Sequence, residues 1–112
     1  MKTLKLNSFY DGVELSVAVL EPEGAPKGIF QISHGMAEHK ERYFPFMEYL
    51  AGNGYVCVIH DHRGHGASVK SPENLGYMGK GGAEALVEDL LLVQDWARSR
   101  YPDMPITLFG HS

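Results

Sequence analysis

The sequence predicts an α/β protein built on a mainly parallel sheet, and three observations carry that prediction. Two strand-like runs joined across Tyr10-Asp11-Gly12 open the chain. Three further apolar runs of strand length, Gly28–Ser33, Tyr55–Ile59 and Ile106–Phe109, are each preceded or followed by turn residues. Between those runs lie segments whose apolar positions recur at helical spacing. At 112 residues with 44% hydrophobic content the chain has room for one core and too much apolar material for a disordered segment.

Taken in order, Leu4–Phe9 and Val13–Leu20 are expected strands, and Asp11-Gly12 between them marks a hairpin. Glu21-Pro22-Glu23-Gly24-Ala25-Pro26 is a polar breaker, after which Gly28–Ser33 forms a third strand closed by His34-Gly35. Tyr43, Phe46, Met47 and Leu50 follow helical spacing, with Pro45 in the first turn, and Gly52 and Gly54 end the pattern. Tyr55–Ile59 is a continuous β-branched and aromatic run, the pattern of a strand buried on both faces in a parallel sheet. Ala67–Gly82, rich in Gly, Ser, Pro and Asn and without a period, is expected to be a long loop. Ala83–Tyr101 is the clearest helix, with Ala83, Leu86, Val87, Leu90, Val93, Ala97 and Tyr101 on one face, and Pro102 terminates it. Ile106–Phe109 reads as another buried-type strand and runs directly into Gly110-His111-Ser112.

Charge and composition exclude several function classes. Ten Lys and Arg against fourteen Asp and Glu give a net charge of −4 with neither sign gathered into a run, so no nucleic-acid partner is expected. The longest apolar stretch is the run at Tyr55, whereas a membrane-spanning helix needs roughly twenty residues, so no transmembrane segment is expected. The opening Met1-Lys2-Thr3-Leu4-Lys5 builds no secretory apolar block, and a cytoplasmic location is the expectation. A single cysteine, Cys57, precludes an internal disulfide and reads as a buried, inert thiol.

Three places carry candidate chemistry. Gly110-His111-Ser112 directly after an apolar strand is the front half of Gly-x-Ser-x-Gly, in which a tight strand-to-helix turn exposes a serine nucleophile above the sheet. Gly110 is the small residue such a turn needs, and Ser112 would be the nucleophile. The second is the strand ending in His34-Gly35-Met36, where the Met36 backbone N–H is a candidate oxyanion donor. Third, His60, His62 and His65 stand in the pattern His-x-His-x-x-His, similar to the zinc-binding run of metallo-β-lactamase-fold hydrolases, except that Gly64 replaces that family's aspartate. A strand-end turn that uses Gly64 and Gly66 for special backbone angles, with polar side chains making local hydrogen bonds, accounts for the same residues without metal.

The three places together, with His34-Gly35-Met36-Ala37-Glu38-His39, Arg42-Tyr43, Asp61-His62-Arg63-Gly64-His65-Gly66-Ala67-Ser68 and Leu108-Phe109-Gly110-His111-Ser112, resemble the amino-terminal part of the monoacylglycerol lipase and lysophospholipase branch of the α/β-hydrolases. The resemblance runs over nearly the whole chain. It implies an α/β-hydrolase fold of which residues 1–112 form the amino-terminal part of a single domain: the first five strands of a mostly parallel sheet with two flanking helices. It also implies Ser112 as nucleophile, the Met36 N–H as an oxyanion donor, and His34, Gly35, Gly110 and His111 as support of the cleft. Glu38 and Arg42 match positions at the polar-headgroup end of the pocket, and they equally fit a solvated pair four residues apart.

The implied activity is hydrolysis of a small acyl ester or lipid-like substrate through an acyl-enzyme, with no cofactor and no metal. A serine aminopeptidase-like hydrolase and a non-catalytic truncated module are the alternatives. In this family the triad acid and histidine follow the serine, so the remaining part of the hydrolase chain is an expected partner, and residues 1–112 by themselves are expected to be inactive. The last strand is also expected to be an open apolar edge.

Overall fold

The structure, a computed structural model, describes residues 1–35, 38–66, 68 and 82–110. Strand β1 (Lys2–Asn7) and strand β2 (Glu14–Leu20) form the predicted hairpin, antiparallel from Lys2↔Val19 to Asn7↔Glu14. The connection is a six-residue loop, wider than the two-residue turn that Asp-Gly suggests, and Phe9 stands 83% exposed instead of continuing the strand. The loop closes on itself through Ser8 N–H to Val13 O (2.8 Å) and Gly12 N–H to Ser8 O (2.9 Å), with Gly12 at φ +78°. It is wide because Ser8 and Asp11 both turn to bind Arg63 (below).

Strand β3 (Gly28–Ser33) leads through a 3₁₀ turn (Lys40–Tyr43) into helix α1 (Phe44–Gly52), whose second residue is Pro45. Strand β4 (Tyr55–His60) follows, then helix α2 (Gly82–Arg100) and strand β5 (Ile106–Gly110). The sheet order is β1-β2-β4-β3-β5. The pairs β1/β2 and β2/β4 are antiparallel; β4/β3 and β3/β5 are parallel. The predicted α/β class with a mostly parallel five-stranded sheet and two helices is therefore what the chain forms.

The helices lie on opposite faces. On one, Val93 and Ala97 of α2 pack on Leu15, Val17, Val19, Ile29, Val56 and Val58; on the other, Met47 and Leu50 of α1 pack on Ala18, Ile32, Cys57 and Ile59. Burying side chains of that size stabilises by about 1.5–3 kcal/mol each. β4 is covered on both sides, which is why its sequence shows no alternation.

Two expectations need correction. The buried stripe of α2 is Ala85, Asp89, Val93 and Ala97, while Ala83 is exposed and Val87 is 54% exposed. Hydrophobicity alone places Asp89 outside; the ion pair it makes with Arg63 rotates it inward. β5 is not a buried strand among the described residues: Leu108 is 49% and Phe109 39% exposed, because β3 alone of those residues pairs with it. The open apolar edge is as expected. Most of the long loop expected over 67–82 lies outside the described residues.

Candidate active site

The chain runs from β3 to β4 on one side and then crosses to β5 on the other, so β3 is where the strand order reverses. In open parallel sheets such a reversal leaves a crevice beyond the carboxyl ends of the strands, because successive connections depart to opposite faces. Three segments meet at that end: the loop after β3, the turn after β4, and the end of β5, where Gly110 stands in register with Ser33. His34, Gly35, Glu38, Arg42 and Gly110 are thus gathered at one end of the sheet. Met36, His111 and Ser112 lie outside the described residues.

Reciprocal bonds join the ends of β3 and β4. His34, buried, directs Nδ1–H to the Gly35 carbonyl (2.8 Å), which leaves Nε2 to accept the His62 backbone N–H (2.9 Å). His62 in return directs Nε2–H to the His34 carbonyl (2.9 Å) and to Ser33 Oγ (3.1 Å). The two rings lie 4.1 Å apart, with His65 5.4 Å from His34 and His60 5.0 Å from His62. Desolvation holds three of them neutral: burial pushes His34 below its ordinary value, His62 down to about 4 and His60 down to about 3. His60 is fully buried, and among the described residues neither of its ring nitrogens, nor His62 Nδ1, has a hydrogen-bond partner.

The turn after β4 is a polar knot. Asp61 Oδ1 accepts the Lys40 N–H (2.7 Å) and Oδ2 the Lys40 ammonium (2.9 Å), tying the 3₁₀ turn to β4, with both side chains buried. Gly66 takes φ +50°, and a Cβ there would run into the Asp61 carboxylate. Ser68 Oγ donates to the Asp61 carbonyl and accepts the Ser16 N–H, both at 2.8 Å. Arg63 is 1% exposed and divides its guanidinium between Asp89 (Nε to Oδ2, 2.7 Å) and Asp11 (Nη1 to Oδ2, 2.8 Å), with Ser8 Oγ at 2.9 Å. These two carboxylates hold the guanidinium charged well beyond any ordinary pH.

This knot matches the strand-end turn anticipated for the run from His60 to His65. His62 Nε2 donates to the His34 carbonyl, and His65 Nδ1 faces the Arg63 carbonyl at 3.0 Å. Among the described residues no group of three His, Cys, Asp or Glu is arranged to hold a metal ion. The roles of Arg63, Asp89, Lys40 and Asp61 were not evident from sequence, since nothing local distinguishes a buried ion pair from solvated charges.

Glu38 and Arg42 form an ion pair (2.8 Å), with Arg42 69% and Glu38 13% exposed at the side chain. Glu38 is further engaged by the Gly35 N–H (2.6 Å) and Tyr43 Oη–H (2.8 Å). Cys57 is buried as expected, and burial pushes its thiol up to about 11.

A family model described as serine aminopeptidase, S33 matches residues 24–112, most of the chain. The chain belongs to this α/β-hydrolase family. Among its relatives it is similar to the monoglyceride lipase of Mus musculus, 36% identical over 102 residues that cover 91% of this chain and 32% of that protein. It is also similar to the monoacylglycerol lipase of Mycolicibacterium smegmatis, 31% identical over 101 residues, 90% of this chain and 34% of that protein. The S33 chain thus spans about a third of the length of these relatives. Among solved structures, a thermostable carboxyl esterase from Bacillus coagulans in complex with glycerol superposes with a TM-score of 0.91 at 31% identity, covering 98% of this chain and 36% of that one. The fold and the branch implied by the sequence motifs are those of the family. Among the described residues no helix is long and apolar enough to cross a membrane.

Proposed function

We propose that residues 1–112 are the amino-terminal part of a single α/β-hydrolase domain, and that the complete domain hydrolyses carboxylic esters of the monoacylglycerol and lysophospholipid type. In this reading Ser112 Oγ attacks the ester carbonyl while a histidine from the remainder of the domain takes its proton, and the Met36 N–H stabilises the oxyanion. That histidine returns the proton to the departing alcohol. Water then cleaves the acyl-enzyme with the same histidine as base. Neither metal nor cofactor takes part.

The observation that carries the reading is the register Ser33↔Gly110. It sets the carboxyl ends of β3 and β5 side by side, and in this reading the oxyanion donor follows the first strand and the nucleophile the second. Similarity to monoglyceride lipases along most of the chain supports the lipid-ester substrate class. The exposed outer edge of β5 supports the proposal that further strands of the same domain pair there.

A serine aminopeptidase-like activity is the second reading, favoured by the description of the matching family. Assaying the complete hydrolase against p-nitrophenyl esters and amino-acid p-nitroanilides separates the two. Ester turnover that disappears in Ser112→Ala is expected; anilide turnover without ester turnover would transfer the assignment to the peptidase. A cytoplasmic location belongs to the same proposal, and cell fractionation tests it.

A further inference from the structure

The loop between β1 and β2 holds an aromatic pair away from the protein. Phe9 is 83% and Tyr10 43% exposed, and the bonds around them fix them there. Ser8 N–H donates to the Val13 carbonyl (2.8 Å), Tyr10 N–H to Ser8 Oγ (3.1 Å) and Val13 N–H to Asp11 Oδ1 (3.2 Å). From the turn after β4, Arg63 reaches both Asp11 and Ser8, and its guanidinium carbon lies 6.0 Å from the centre of the Tyr10 ring. Burial of a phenyl ring is favourable, yet this loop is braced from within so that the Phe9 ring stays out.

The position of the loop gives that ring a direction. β2 is antiparallel to β4, with Val17 opposite His60, and Asp61 N–H bonds the Ser16 carbonyl, so the loop before β2 stands at the carboxyl end of the parallel strands. Ser33 and Gly110 lie side by side at that same end. In the sheet order, β1 and β2 form the edge opposite β5, so strands added at β5 leave the loop uncovered. We propose that Phe9 and Tyr10 are an interfacial anchor that enters the surface of an uncharged lipid aggregate and holds the carboxyl end of the sheet against it. Aromatic side chains settle at such a boundary because the ring is apolar while a tyrosine hydroxyl keeps its water. The charge of the loop selects the partner: residues 8–13 contain no Lys or Arg for anionic headgroups, and their one charged side chain, Asp11, is paired with Arg63. The purpose of the anchor rests on the proposed lipid-ester reading, whereas the surface binding is measurable without turnover.

The test is flotation of the complete hydrolase with phosphatidylcholine vesicles, repeated with part of the lipid replaced by phosphatidylserine. Phe9→Leu is expected to bind within about threefold of wild type, and Phe9→Ser about tenfold more weakly, the effect of withdrawing one large apolar side chain from lipid. Turnover of an emulsified monoacylglycerol should fall in step in Phe9→Ser, while a water-soluble p-nitrophenyl ester is cleaved at the wild-type rate and the urea midpoint stays where it was. Absence of vesicle binding by the wild type, equal binding by wild type and Phe9→Ser, or binding that requires phosphatidylserine would overturn the proposal. A lowered urea midpoint in Phe9→Ser would overturn it too, because the ring would then be covered by protein in the complete domain or by a second copy. A wild type that binds vesicles through Phe9 and cleaves no ester would uphold the anchor and remove the ester-hydrolase reading instead.

Discussion

Gly66 and Arg63 are the residues on which the turn after β4 depends. A side chain at Gly66 would meet the Asp61 carboxylate at a backbone angle that L-residues disfavour, so both strain and clash oppose it. Gly66→Ala is expected to cost about 3 kcal/mol by chemical denaturation of the complete hydrolase. Arg63 joins two carboxylates of unequal burial: Asp89 at 0% and Asp11 at 35% side-chain exposure. Asp89→Ala leaves a buried guanidinium short of its partner and should cost about 4 kcal/mol, whereas Asp11→Ala, replaced in part by water, should cost about 1 kcal/mol. Equal costs would contradict this division. The glycines of the turn could be read from sequence because glycine has a local conformational meaning. The pair Arg63–Asp89 could not, since the two are far apart in the chain and each alone looks like an ordinary surface charge.

At the scale of elements, the junction of β3 with β4 is built from imidazoles held neutral by burial. Folded His62 and His60 resist protonation down to about pH 4 and pH 3, while the unfolded chain takes up a proton at each as pH falls below about 6.5. The unfolded state therefore binds more protons in that window, so stability is complete above about pH 6.5 and falls as pH drops toward 4. The two groups together should remove about 3 kcal/mol between pH 7 and pH 5, read from urea midpoints. His60→Leu should flatten that dependence and leave stability at pH 7 equal or higher, because it replaces two unpartnered buried nitrogens with an apolar group. Unchanged acid sensitivity in that variant would place the lability elsewhere. Strand and helix identities were readable from period and punctuation. The face of α2 was not, because the buried position is held by a charge, and neither was the hairpin width, because distant Arg63 sets it.

For the whole molecule, the strand order β1-β2-β4-β3-β5 brings Ser33 and Gly110 side by side and leaves β5 as an apolar edge. Residues 1–112 expressed alone should associate in a concentration-dependent way through that edge, and Leu108→Lys should reduce the association in sedimentation velocity. Indifference to Leu108→Lys would mean that the edge is not the sticking surface. The class of fold was readable because short apolar runs and helical periods alternate. The order of strands followed from no periodicity, since pairing partners are set by tertiary packing. The candidate site is proposed from motif, because strained turns demand glycine and an exposed nucleophile demands a strand end. The central claim, that Ser112 is the nucleophile of a serine hydrolase, is tested most directly by fluorophosphonate labelling of the complete hydrolase with peptide mapping of the adduct. A single adduct on Ser112, absent from Ser112→Ala, is the predicted result; no adduct, or one on another residue, would contradict the account.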